Sequence, residues 1–385
     1  MYTCNFANIS FTRMKIAVNT RFLIHDKLEG IGRFTYETLK CMVLKHPEHE
    51  FMFFFDRPFS QEYLFSKNVT GIILYPPARH PLLFIWYFEW SIFRALRKFK
   101  PDVFLSCDGF LCLRSKVPQL AVIHDLAFEH NPEDVSFFAR TYYKYFFPRF
   151  ARKASHICTV SDFSKQDIIE KYHIDNTKIS VIYNGASAIF KPINELEKQA
   201  IKSQFSDGEN YFVYVGALQP RKNISRLLQA FEKFKIAHDT PCKLLIVGRK
   251  AWKTQSIEDT YERMKFKCDV LFTGRVSDED LSKIIAGATA LTYIPYLEGF
   301  GIPILEAMQC GTPVITSNRS ALPEVAGDAA ILINPFDSDE ICAAMVALYF
   351  DKNQQITLSN NGLIQSGKFS WEKTADLLWN CLEPY

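Results

Sequence analysis

Apolar runs of five to seven residues recur down the whole chain, and amphipathic segments separate them. The first series is KIAVNT (15–20), EFMFFFD (50–56), GIILY (71–75), DVFLS (102–106), QLAVIHD (119–125), HICTVS (156–161) and ISVIYN (179–184). A second begins at YFVYVG (211–216) and continues with KLLIVG (243–248), DVLFTG (269–274), ALTYIP (290–295), PVITS (313–317) and AAILIN (329–334). Strands apolar on both faces and divided by helices belong to parallel sheets covered on both sides. The loop ASAIFKPINE (186–195) separates the two series. At 385 residues the chain also exceeds what one core usually supports. The expectation is α/β: two doubly wound, Rossmann-like domains, 14–190 and 191–369, facing across a cleft. A final helix within 370–385 should pack back on the first.

Composition excludes several classes. With 48% hydrophobic and 23% charged residues the chain is globular. Ten cysteines contain no CxxC, and the nearest pair is Cys107 and Cys112. That spacing suits neither zinc nor a disulfide scaffold, so reduced thiols and a cytoplasmic setting are expected. No apolar run approaches the roughly 18 residues that would cross a bilayer. The opening MYTCNFANISFTR lacks a signal-peptide core, and Met14 could be the true start. A net charge of +3 gives no reason to expect nucleic acid. Residues 1–190 carry 24 basic against 18 acidic side chains, and the remainder 21 against 24. The first half could therefore face something anionic.

Open parallel sheets bind ligands beyond the carboxyl ends of their strands. Gly30 and Gly32 follow the first strand just before a helix, where backbone can approach an anion. The third glycine of the dinucleotide fingerprint is missing, which disfavours a nicotinamide dehydrogenase. His124 and Asp125 close the strand QLAVIHD, and His124 there is either a structural residue or one facing a ligand. Gly216 closes YFVYVG, and ALQPRKNI follows, placing Arg221 and Lys222 before a helix that Asn223 could cap. Adjacent cations oppose the helix dipole, a cost that makes sense if an anion lies between them.

The stretch EGFGIPILEAMQCGTPVITS carries two carboxylates, Glu298 in a loop and Glu306 about two turns into a helix. Glu298 points at whatever fills the cleft. The amides of Phe300, Gly301 and Ile302 form a helix start suited to phosphate. Glu306 could accept hydrogen bonds from vicinal hydroxyls such as those of a ribose. Cations and amides for a diphosphate, with carboxylates for sugars, suit a nucleotide diphosphate sugar.

That block, with VGALQPRKNI, TVSDFSKQDI and VIYNG upstream, resembles the retaining GT-B glycosyltransferases of the E-x7-E type, the glycosyl transferases group 1. The likeness runs from residue 14 onward and leans towards bacterial O-antigen-type mannosyltransferases. It implies that Glu298 contacts the transferred sugar, Glu306 the ribose, and Arg221 and Lys222 the diphosphate. It implies that His124 sits near the donor sugar and that Val276 meets the base through its backbone. Gly32 and its neighbours would approach donor phosphate or acceptor. No cofactor is implied; the nucleotide sugar, first of all GDP-mannose, is the donor substrate. The acceptor would be a glycan or lipid-linked glycan.

Cations and a helix N-terminus can neutralise a departing nucleoside diphosphate without a metal. Asp278-Glu279-Asp280 superficially resembles a metal motif, but it follows Ser277 at a helix start, where acids complement the dipole. A sugar-nucleotide epimerase, a phosphorylase on the same fold and a non-catalytic binder remain as alternatives. The stretches 80–100 and 137–153 mix aromatics with Arg and Lys. Exposed, they could rest on an anionic bilayer at the inner face of the membrane; buried, they are core.

Overall fold

Each of the thirteen apolar runs forms a strand in the computed structural model, which describes residues 13–25, 28–78, 80–251 and 253–385. Residues 1–12, most of the stretch without a signal-peptide core, lie outside the described residues. The strands are β1 Lys15–Asn19, β2 Glu50–Phe55, β3 Val69–Ile73, β4 Val103–Ser106, β5 Gln119–Val122, β6 His156–Thr159 and β7 Ile179–Val181. Then follow β8 Tyr211–Val215, β9 Lys243–Val247, β10 Val270–Gly274, β11 Ala290–Tyr293, β12 Val314–Ser317 and β13 Ile331–Ile333.

The first sheet has the order β3-β2-β1-β4-β5-β6-β7 and the second β10-β9-β8-β11-β12-β13. The described pairings within both are parallel. In the first, β1 is followed on one side by β2 and on the other by β4. In the second, β8 stands in the same way between β9 and β11. Each sheet therefore reverses its winding once, and strand ends diverge there to leave room for a ligand. Helices cover both faces, so β2, β4, β5, β8, β9, β11 and β12 are buried almost end to end. Each fully buried Phe of FMFFF in β2 contributes about 1.5–3 kcal/mol.

Several boundaries differ from the sequence expectation, three of them near candidate site residues or by a shift of the whole strand. β3 begins and ends two residues earlier than GIILY. β5 stops at Val122, because its ladders to β4 and β6 end at Ala121 and Val122. Ile123, His124 and Asp125 thus continue as loop. The first long helix spans Gly30–Lys45, so Gly30 and Gly32 lie inside its first turn and not before it. A Cβ on Gly32 would come within 2.7 Å of the Phe22 carbonyl oxygen, so glycine there lets the helix pack on the turn after β1.

Contacts divide the chain into two compact units. One comprises the chain up to Val122 with Tyr145–Cys158 and Leu378–Tyr385; the other comprises Ile123–Lys144 and Thr159–Leu377. The last helix, Trp371–Leu382, bridges this division in sequence, and its Trp379 stacks on His46 of the first unit with centroids 3.6 Å apart. Among the described residues no helix is long and apolar enough to cross a membrane.

Candidate functional site

The site assembles in the second unit where the sheet reverses, at the carboxyl ends of β8 and β11. After β8 the chain turns through a short 3-10 segment, Pro220–Lys222, before the helix Ile224–Ala237. After β11 it runs through Tyr296, Leu297 and Glu298 to the helix Ile302–Gln309. The Tyr296 amide donates to the Arg221 carbonyl at 3.0 Å, which ties the two loops together.

The anion that the adjacent cations required is supplied by the chain. Oε1 of Glu298 accepts from Arg221 Nη1 and from Lys222 Nζ, both at 2.5 Å. Arg221 also donates to the Leu297 carbonyl at 3.1 Å, and Lys222 to the Tyr293 hydroxyl at 2.5 Å. Glu298 and Lys222 are each 8% exposed. Burial pushes Lys222 down to about 8, although Glu298 opposes the shift. Burial alone would raise Glu298; Arg221 and Lys222 outweigh it and hold the carboxyl below its ordinary value. Arg221 is held above its ordinary value, because Glu298 and Asp125 overcome its burial. A buried pair of cations sharing one carboxylate has the chemistry to hold a polyanion, since an ammonium has three donors and a guanidinium five.

Asn223 does not cap the following helix. It adopts a left-handed conformation, φ 61°, and its side chain makes no capping bond. Its amide braces the loops after β11 and β13 by donating to the Ile294 and Pro335 carbonyls at 3.1 and 2.6 Å.

The Glu298 loop is pressed against the segment that carries His124. A Cβ on Gly299 would lie 2.3 Å from the His124 carbonyl oxygen, so only glycine fits. Ser164 Oγ donates to that same carbonyl at 3.0 Å. The His124 and Asp125 backbone is therefore held against the Glu298 loop. Gly301 precedes the next helix at φ 98°, a conformation that favours glycine. The amides of Phe300, Gly301 and Ile302 stand at that helix start, while the Phe300 ring is buried against Tyr183 and Phe369.

Glu306 is buried on the helix Ile302–Gln309. Burial first, and the charge of Glu306 second, push the Cys310 thiol up to about 12. Gly216 sits directly after β8 at φ 146°, its amide bonded to the Val247 carbonyl at 2.9 Å. Val276 follows edge strand β10, which β9 separates from β8, so it stands apart from the charge cluster along the sheet edge. Gly30 and Gly32 belong to the other unit. The sequence did not single out Tyr293, whose hydroxyl accepts from Lys222, or Ser320, whose hydroxyl accepts the Glu298 amide at 3.1 Å; the first depends on strand adjacency and the second on backbone conformation.

Two possible metal positions carry little. Ser277 caps the helix Asp278–Gly287 by accepting from the Asp280 amide at 3.1 Å, so the three acids form an ordinary first turn. In the first unit His46, Glu48 and His49 have ligand spacing. The Met14 amide, however, donates to His49 Nδ1 at 2.9 Å. The ring proton is then on Nε2, facing Glu48, whereas a ligating histidine keeps its proton on the opposite nitrogen.

Comparison with known proteins places this geometry in a lineage. Residues 196–365 match the model of glycosyl transferases group 1, and residues 28–188 that of glycosyltransferase family 4. O-antigen chain mannosyltransferase B of Escherichia coli is 30% identical over 361 residues, covering 90% of this chain and 93% of that relative. O-antigen chain mannosyltransferase RfbU of Salmonella typhimurium is 32% identical over 260 residues, covering 67% and 68%. Among solved structures, sucrose-phosphate synthase of Thermosynechococcus elongatus superposes with TM-score 0.79 at 18% identity, over 97% of this chain and 99% of its own. HepE of Anabaena, in complex with UDP and glucose, superposes with TM-score 0.75 at 18% identity, over 97% and 100%. These structural likenesses establish the GT-B fold. The chain belongs to the group 1 glycosyltransferases and is a glycosyltransferase.

Proposed function

We propose that the protein is a retaining mannosyltransferase. It moves mannose from GDP-mannose to a glycan or lipid-linked glycan during surface polysaccharide synthesis, and it needs no metal. The observation that carries this reading is the Arg221–Lys222–Glu298 cluster at the reversal between β8 and β11. Two O-antigen mannosyltransferase relatives support the choice of sugar.

When the bond from the anomeric carbon to the diphosphate oxygen breaks, negative charge grows on phosphate and positive charge on the sugar ring. Arg221, Lys222 and the helix start at Gly301 and Ile302 hold the first charge in a water-poor site, where fixed donors act strongly. Glu298 faces the second charge once the diphosphate shares its cations. Glu306 takes the ribose hydroxyls, and His124 lies by the sugar. The acceptor hydroxyl attacks from the face that the leaving group vacates and passes its proton to the departing diphosphate oxygen, which retains configuration.

A lipid-linked acceptor would hold the enzyme at the inner face of the membrane. In the first unit Leu83, Ile85, Trp86 and Trp90 are exposed, with Arg97 and Lys98 exposed close by in sequence. In the second unit Phe137 and Phe138 are exposed. Such surfaces suit an anionic bilayer.

The test is thermal unfolding with a panel of nucleoside diphosphates and nucleotide sugars. A ligand at about 100 times its dissociation constant adds roughly 2.7 kcal/mol. GDP and GDP-mannose should stabilise the protein most; a response to uridine nucleotides alone would overturn the choice of donor.

A further inference from the structure

Ser320 has φ 55°, in the left-handed region where a side chain other than glycine is strained. It lies in the loop between β12 and the short helix Leu322–Ala326. Glycine would adopt this conformation freely, so the hydroxyl is the feature to account for. Its Oγ accepts the Glu298 amide at 3.1 Å and donates to the Arg319 carbonyl at 2.7 Å. The next residue completes the grip, since the Ala321 amide donates to the Glu298 carbonyl at 3.4 Å. Both backbone polar groups of Glu298 are thus held by two consecutive residues of one strained turn. On the side-chain end, Arg221 and Lys222 hold the carboxylate. Once a diphosphate draws those cations away, the turn at Ser320 remains to fix where the carboxylate points.

We infer that Ser320 is a positioning residue for Glu298, which keeps the carboxylate aimed at the transferred sugar when its cation partners turn to the donor diphosphate. This rests on the assignment of Glu298 to the sugar. The left-handed turn accompanies that role, since in it the hydroxyl meets the Glu298 amide.

Ser320→Gly removes the hydroxyl and the strain together, while Ser320→Ala removes the hydroxyl and keeps the strain. Both are compared with the parent, with Glu298→Gln and with the Ser320→Gly/Glu298→Gln double variant. The readouts are release of GDP from GDP-mannose, calorimetric titration with GDP, and melting. Ser320→Gly should melt at or above the parent and bind GDP within about threefold of it. Its kcat should nevertheless fall about tenfold, the scale of a small misplacement of a reacting group. Ser320→Ala should be as slow and should melt lower. In the Glu298→Gln background Ser320→Gly should cost nothing further, because the two act as one unit.

A parental kcat for Ser320→Gly overturns the proposal and assigns the serine a purely structural role. So does a loss of GDP affinity that matches the loss of kcat, or a fully additive double variant. If Glu298→Gln itself turns over like the parent, the assignment of Glu298 fails first, and the inference fails with it.

Discussion

Glu298→Ala separates the roles of the charge cluster most sharply. In the free protein the carboxylate accepts from two buried cations, at 2.5 Å each. Removing one partner of a buried ion pair costs about 3–5 kcal/mol when the remaining charge cannot escape. Here it can escape in part: Lys222 already lies at about 8 and would fall further without Glu298, so it sheds its proton near neutral pH. The expected loss is therefore about 2–4 kcal/mol, below the full cost of an orphaned charge. At about 2–4 °C per kcal/mol for a domain of 150–250 residues, melting should drop by roughly 5–15 °C. GDP returns an anion to Arg221 and Lys222, so its dissociation constant should stay within about threefold of the parent's or become tighter. Turnover should fall by about 10²-fold or more, because the carboxylate matters most as the sugar ring gains positive charge. Scanning fluorimetry with and without GDP, calorimetry and initial rates at saturating GDP-mannose measure all three. If Glu298→Ala melts like the parent and loses GDP binding, both the ion-pair account and the assignment to the sugar are wrong.

Further outcomes concern the ribose contact, the charge of Lys222 and the exposed aromatic surface. Glu306→Ala should weaken GDP about 10- to 150-fold, the loss of a charged hydrogen bond of about 1.5–3 kcal/mol, and unchanged affinity would refute the ribose contact. GDP binding should weaken as pH rises through about 8, where free Lys222 loses its charge; calorimetry across that range checks it, and a flat affinity would contradict it. The stability contribution runs the other way. Between about 8 and the ordinary 10.5 the unfolded chain holds the proton that the folded one has lost, so this group favours folding more as pH rises. A Trp86→Ala/Trp90→Ala variant should sediment less with vesicles rich in anionic lipid at low salt, and equal binding of parent and variant would remove that surface from the membrane.

The strands were legible because parallel sheets bury both faces, and KLLIVG or DVLFTG leaves little else for such a run to be. The site was half legible. Arg221 and Lys222 showed themselves through a local cost: two cations before a helix invite an anion. What occupies that place could not be read, because Glu298 reaches them only through the adjacency of β8 and β11, a long-range fact of sheet order. Asn223 looked like a cap because its residue type is right, but capping needs an extended backbone and the structure gives it φ 61°. The packing of Gly32 on the Phe22 carbonyl could not be read, because a Gly-x-Gly turn and a close helix packing have the same letters. Ser320 gave no signal at all: its meaning lies in a backbone angle and in one hydroxyl–amide contact 22 residues away from Glu298 in sequence.

The proposed reaction is metal-free transfer of mannose with retained configuration from a donor seated on Arg221, Lys222 and Glu298. Following GDP-mannose and a soluble mannoside acceptor by proton NMR in the presence of EDTA tests it most directly. An α-linked product should form at an undiminished rate and be lost in Glu298→Ala. A β-linked product, or transfer that EDTA abolishes and manganese or magnesium restores, would contradict it.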